Sequence, residues 1–184
     1  MSRLPIIHAL HEQATGPFLE QRLDLEFSNG QRRQFHRLLS RSSGSVIVVP
    51  LLDDETVVLV REYAAGLHHY ELGLVRGRID PGETPIQAAN RELKEEAGYG
   101  ARQLQVLRQL SLAPTYMDHQ SFLVVARELY PERLLGDEPE ELEVVPWKLD
   151  QLESLMLRED CSEGRCLAAL FIAREWLKSR SKSA

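Results

Sequence analysis

A chain of 184 residues, 43% hydrophobic and 27% charged, can bury a sizeable core and lies far from the composition of a disordered protein. Its formal net charge of −6, with acidic and basic residues interspersed, argues against a surface that holds long nucleic acid by neutralising phosphates and leaves a small nucleotide open. No apolar run approaches a membrane span, the first ten residues lack a signal peptide's basic start and apolar stretch, and Cys161 and Cys166 have no His or Cys at metal-site spacing. The expectation is a cytoplasmic protein without membrane or long nucleic-acid partners, carrying two reduced thiols.

In chain order, residues 22–27 and 32–39 flank Ser28-Asn29-Gly30-Gln31, where Asn-Gly predicts a β-hairpin with a two-residue turn. This hairpin defines an N-terminal lobe, residues 1–41, followed by a second unit over 42–184 that begins with the small polar connector Ser40 to Gly44. Residues 46–52 and 57–60, apolar and β-branched around Asp53-Asp54-Glu55, predict two buried strands. A helix is predicted over 85–97: Thr84 and Gln87 have capping-box spacing, Pro85 takes the first helical position, and Gly98 stands where a helix-ending glycine belongs. Strands follow at 104–110, 121–126 and 142–145, then a short helix near 149–157, a longer one near 165–178, and a polar tail over 178–184. The predicted order is strands, helix, strands, helices.

On the first helix, Glu92, Glu95 and Glu96 fall at i, i+3 and i+4 and project from one face, beside an apolar stripe of Ile86, Ala89, Leu93 and Ala97. Glu95 and Glu96 occupy the last turn, where the helix dipole disfavours negative charge, so a positive partner is required. Arg91 can reach Glu95 at i+4 and Lys94 lies nearby, which would make an ordinary solvated face. Hard oxygen ligands grouped this closely also suit magnesium.

The surrounding residues decide between these readings. Gly77, Glu83, Arg91-Glu92-Leu93, Glu95-Glu96 and Gly98-Tyr99 match G-x(5)-E-x(7)-R-E-U-x-E-E-x-G-U, with U a large apolar or aromatic residue. With seven fixed positions each filled by chance about one time in fifteen, an accidental match is on the order of one in a hundred million per start. The chain thus resembles the Nudix hydrolases. Arg61-Glu62-Tyr63, Tyr70-Glu71-Leu72-Gly73, Ile79-Asp80-Pro81-Gly82-Glu83 and Gly136-Asp137-Glu138-Pro139-Glu140 further resemble the ADP compounds and ADP-ribose branch.

That resemblance implies a Nudix α/β/α sandwich with a mixed sheet, preceded by the N-terminal β-hairpin lobe, which in relatives contributes to dimerisation and adenosine contacts. It implies Mg2+, with Mn2+ as the other candidate, held by Glu92 and Glu96. Glu95 either completes the metal cluster or handles a metal-bound water, and the main-chain carbonyl of Arg76 approaches the metal past Gly77. Arg91 orients the carboxylates. The catalytic base is implied on a loop well after the box, where Asp137, Glu138, Glu140 and Glu141 crowd together and Glu140 aligns best. Substrate contacts are implied at Pro114 and Tyr116. Ala64 stands where relatives carry an arginine, so Arg61 or Arg76 is the substitute.

The implied reaction is hydrolysis of the pyrophosphate bond in ADP-linked compounds (ADP-ribose, diadenosine polyphosphates, NADH) to AMP and a phosphorylated remainder, by a homodimer. The Ser-Gln-Pro-Trp run of NADH specialists is missing. Two alternatives use the same scaffold: a nucleoside triphosphate pyrophosphohydrolase, and a non-catalytic nucleotide-sensing protein, which would commonly have lost the box carboxylates that are intact here. His68 and His69, adjacent in sequence, point apart on most backbones and are not expected to bind metal; Trp147 and Trp176 are read as core or interface residues.

Overall fold

The computed structural model describes residues 3–181; the end of the expected polar tail, residues 182–184, lies outside the described residues. The N-terminal lobe is a three-stranded antiparallel sheet: β1 (Ile6–Thr15), β2 (Phe18–Glu26) and β3 (Arg32–Ser40), in that order. The expected hairpin is its β2–β3 half. β1 carries no strand signal in the sequence because its apolar residues, Ile6, Ile7, Ala9, Leu10 and Ala14, do not alternate. The turn is also a residue longer than expected. Gly30 N–H donates to Phe27 O and Phe27 N–H to Gln31 O, each at 2.9 Å, giving a three-residue loop whose last member, Gly30, takes φ 77. That left-handed geometry is the one glycine adopts without steric cost.

After the connector come β4 (Ser45–Pro50), β5 (Thr56–Ala64), β6 (His69–Gly73), β7 (Arg76–Arg78), α1 (Pro85–Glu96), β8 (Tyr99–Ser111), β9 (Gln120–Pro131) and β10 (Glu143–Lys148). A 3-10 turn at Leu149–Gln151 leads into α2 (Leu152–Met156), and α3 (Gly164–Ser181) closes the chain. The expected mixed sheet is divided in two. Four strands lie in the order β7-β4-β9-β8, with β4 and β9 parallel, and three antiparallel strands lie in the order β10-β5-β6. α3 continues through Ser181, into what the polar composition had marked as tail.

Alternation along the central strands builds the layers. Val46, Val48, Val58, Val60, Val124 and Ala126 cluster with Ala88, Ala89 and Leu93 of α1. Their neighbours Ile47, Val49, Val57, Leu59, Leu123 and Val125 cluster with Leu152 and Leu155 of α2 and Ala169, Leu170 and Ala173 of α3. Strands buried on both faces read as continuous apolar runs, and helices cover each face: the architecture is an α/β/α sandwich. No helix among the described residues is long and apolar enough to cross a membrane.

The first helix forms where its signals placed it. Thr84 Oγ1 accepts from Gln87 N–H, Gln87 Oε1 accepts from Thr84 N–H, Pro85 opens the helix, and Gly98 follows its C-cap at φ 71. Leu93 anchors it with no exposed surface.

Two substitutions separate cap from core. Thr84→Ala removes the Oγ1 acceptor of the Gln87 N–H, while the residue-84 N–H keeps its bond to Gln87 Oε1, and is expected to cost about 1 kcal/mol, whereas Leu93→Ala opens a cavity and is expected to cost about 2–5 kcal/mol. Urea denaturation measures both, and equal losses would show that α1 is not held by its apolar face.

Candidate functional site

The last turns of α1 meet β7 and the segment 134–142 in a cleft of about 480 Å³. The segment is fixed by Leu134 N–H donating to Lys94 O at 3.2 Å and by Gly136, where a Cβ would lie 3.2 Å from the Cβ of Glu95. Glycine there lets Asp137 and Glu138 pass over the helix end and line the cleft. Three guanidiniums, Arg76, Arg78 and Arg91, face six carboxylates, Asp80, Glu92, Glu95, Glu96, Asp137 and Glu138. The cleft is short of positive charge.

Arg91 commits its whole guanidinium to organising this set. Nε and Nη2 hold the two oxygens of Glu83 at 2.9 and 3.0 Å, Nη1 donates to Glu92 at 2.7 Å and Glu95 at 3.0 Å, and Nη2 also donates to the carbonyl of Arg78 at 2.9 Å. Five donors thus meet five acceptors, locking the acidic face of α1 to β7 and to Glu83. The Glu83 carboxyl is held below its ordinary range by Arg91, and the Arg91 cation is correspondingly favoured. Lys94 does not help: it turns away to Glu132 at 2.8 Å.

Glu92 and Glu96 lie deeper. Burial raises the Glu92 carboxyl despite its bond to Arg91. Glu96, 5% exposed, is pushed up to about 9 by burial and by the charges of Glu92 and Glu62. Its bond from the Arg76 N–H is long, at 3.4 Å. A Cβ at Gly77 would lie 1.9 Å from Glu92 Oε1, so a side chain there would push the Glu92 carboxylate away from Arg91. Among the described residues no three acidic, imidazole or thiol groups converge on one point, and Arg91 stands between Glu92 and Glu95. The donors nevertheless fit a hard divalent cation: they are all oxygen, and burial leaves their charges without an adequate counter-charge.

Of the other expected site residues, the structure brings Arg76 to the cleft. Burial works against its charge, but Glu62 at 2.7 Å and Glu163 at 3.9 Å hold it protonated. Arg61 is elsewhere, paired with Glu143 at 2.8 Å and Asp160 at 2.6 Å. Glu140 is outside the cleft lining and accepts from Tyr70 Oη at 2.5 Å. Glu138 is in it, its carboxyl raised by partial desolvation and by the charges of Glu62 and Asp137. Pro114 and Tyr116 sit on an exposed loop pinned to the lobe, where Leu38 N–H donates to Tyr116 O at 2.7 Å, and neither lines the cleft. His68 and His69 diverge, to Tyr63 at 2.6 Å and Glu71 at 2.5 Å.

Glu62 and Glu163 were not singled out from the sequence. For Glu62 a signal exists: Val58 and Val60 face α1, so by the two-residue period Glu62 continues that face towards Arg76 and Glu96. Glu163 carries no such mark, because its position depends on how α3 is docked.

Comparison with known proteins places this geometry. Residues 42–170 match the model of the NUDIX domain, and residues 5–37 match that of the NudE-type Nudix hydrolase N-terminal domain. The chain is 48% identical to the Escherichia coli (strain K12) ADP compounds hydrolase NudE over 165 residues, 90% of this chain and 88% of that protein. It is 26% identical to the Bacillus subtilis (strain 168) ADP-ribose pyrophosphatase over 149 residues, 80% of each. A crystal structure of ADP compounds hydrolase superposes with a TM-score of 0.89 at 46% identity, covering 98% of this chain and 97% of that one.

The buried Glu96 gives the ion-free protein a pH-dependent stability. Its folded value of about 9 lies above the ordinary 4.5, so between these the native state keeps a proton that the unfolded chain releases. The stability it contributes is therefore present below the lower value and is lost as pH rises towards the upper one. In chelator, urea denaturation from roughly pH 5 to pH 8 should show Glu96→Gln becoming progressively more stable than the parent. Parallel profiles would refute the burial of a protonated Glu96.

Proposed function

The chain belongs to the Nudix family of hydrolases, and from that premise we propose that it hydrolyses the diphosphate bond of ADP-linked compounds, releasing AMP and a phosphorylated remainder. The observation that carries this reading is the cleft in which the box carboxylates Glu92, Glu95 and Glu96 lie with Arg76 and Arg78, joined to a lobe that matches the NudE-type N-terminal domain. ADP-ribose, diadenosine polyphosphates and NADH are the substrates to be compared.

Members of this family work with a divalent cation, and we assign magnesium here, with manganese as the other candidate. We assign Glu92, Glu95, Glu96 and the main-chain carbonyl of Arg76 as the groups that would hold it. Bound there, the ion would supply positive charge to diphosphate oxygens and lower the pKa of a water. Arg91 keeps the carboxylates in register. Arg76 and Arg78 supply guanidinium donors to the phosphates, which delocalised planar cations match well.

For the base, the position of Glu138 in the cleft moves it ahead of Glu140, which is held by Tyr70. A carboxyl raised above its ordinary value is also the better proton acceptor near neutral pH. The protein is read as a cytoplasmic homodimer. Exposed Leu4, Ile6, Ile7, Leu10 and Phe35 on the lobe give self-association an apolar surface to cover.

Product analysis with ADP-ribose, a diadenosine polyphosphate, NADH and a nucleoside triphosphate under one magnesium condition should show AMP from the ADP compounds as the dominant activity. Preferential release of pyrophosphate from the triphosphate would replace this reading. On the best substrate, Glu138→Gln is expected to lower kcat roughly a hundredfold with little change in KM, and Glu140→Gln to act within about threefold. The reverse pattern would return the base to Glu140.

A further inference from the structure

A second cavity, of about 410 Å³, opens between the N-terminal lobe and the sandwich, and Arg78 lines both it and the acidic cleft. Its apolar side includes Phe18 and Met117; its polar side includes Arg41, Arg78, Arg165 and His119, and among the described residues no carboxylate lines it. In a chain of net charge −6 this is a local inversion. The nearby acids are already engaged: Asp118 accepts from the Ser40 N–H at 2.7 Å, and Glu163 pairs with Arg165 at 2.9 Å.

The arginines lining the two cavities divide into two groups. Arg76, Arg91 and Arg165 are bound to carboxylates. Arg41 and Arg78 are exposed and have no ion pair among the described residues. Arg165 is fixed in place by Ser121 Oγ at 2.9 Å, and Ser45 Oγ bonds both Ser121 at 2.7 Å and His119 Nε2 at 2.9 Å, so one edge of the cavity is preorganised. A diphosphate can share its charge with a divalent ion in the acidic cleft, but each further phosphate needs its own cations. Arg78, standing between the two cavities, would lead such a chain from one to the other.

We propose that this second cavity is an anion subsite that receives the phosphates lying beyond the scissile diphosphate, selecting ADP compounds whose far half is itself anionic. The proposal rests on the hydrolysis of ADP compounds argued above. Phosphate chains match guanidinium groups by both charge and geometry.

The test uses the full chain and Arg41, which lies outside the acidic cleft. With magnesium, Arg41→Glu is expected to lower kcat/KM for diadenosine pentaphosphate at least tenfold more than for ADP-ribose, with Arg41→Lys retaining most of the parent's ratio. In chelator, inorganic tripolyphosphate should bind the parent by calorimetry and bind Arg41→Glu at least tenfold more weakly. Equal losses on both substrates would assign the cavity to the adenosine half they share and overturn the proposal. So would unchanged tripolyphosphate binding in Arg41→Glu. If no ADP compound is turned over but tripolyphosphate binding still depends on Arg41, the functional reading fails while the anion site stands.

Discussion

The guanidinium of Arg91 is the point on which the candidate site depends. It ties Glu83, Glu92, Glu95 and the Arg78 carbonyl together, spending every N–H it has. Those partners come from three places: the turn before α1, the last turns of α1, and β7. Without Arg91, carboxylates at i, i+3 and i+4 would repel one another at the helix end that already disfavours negative charge. A lysine could not replace it, because a single ammonium point charge cannot serve acceptors spread across a planar fork.

Arg91 organises the charge without cancelling it. Six carboxylates line the cleft against three guanidiniums, and Arg76 is already shared between Glu62 and Glu163. The deficit is greatest at Glu96, which is buried with one long hydrogen bond from the Arg76 N–H. Such a carboxyl either keeps its proton or takes a cation. The fold sustains this unfavourable arrangement because α1 is anchored by Ala88, Ala89 and Leu93, none of which has exposed surface. Local electrostatic cost is thus borne by the core a turn away.

What was legible in the sequence follows the range of the interactions involved. α1 was visible from end to end, since its cap, its proline, its apolar period and its terminal glycine are all local. The box carboxylates were visible for the same reason, and so was the β2–β3 hairpin, though not its third loop residue or its β1 neighbour. The carboxylates that hold Arg76, and the packing of the 134–142 segment, were not. Glu62 arrives from β5, Glu163 from the start of α3, and the choice between Glu138 and Glu140 depends on Gly136 packing on Glu95 and on Tyr70 capturing Glu140. Of these only Glu62 has a sequence period, that of β5; the other contacts have none. Short strands such as β6 and β7 are likewise defined by partners, the latter by three pairs with β4.

Burial favours a protonated Glu96 in the ion-free protein, and a divalent cation at the proposed site would have to displace that proton. Magnesium titration by calorimetry, in buffers of differing ionisation enthalpy at roughly pH 7.5, measures the protons released per ion bound. With the Glu96 carboxyl at about 9, the account predicts release of close to one proton from the parent and almost none from Glu96→Gln. Binding without proton release in the parent, or the same release from both proteins, would contradict it.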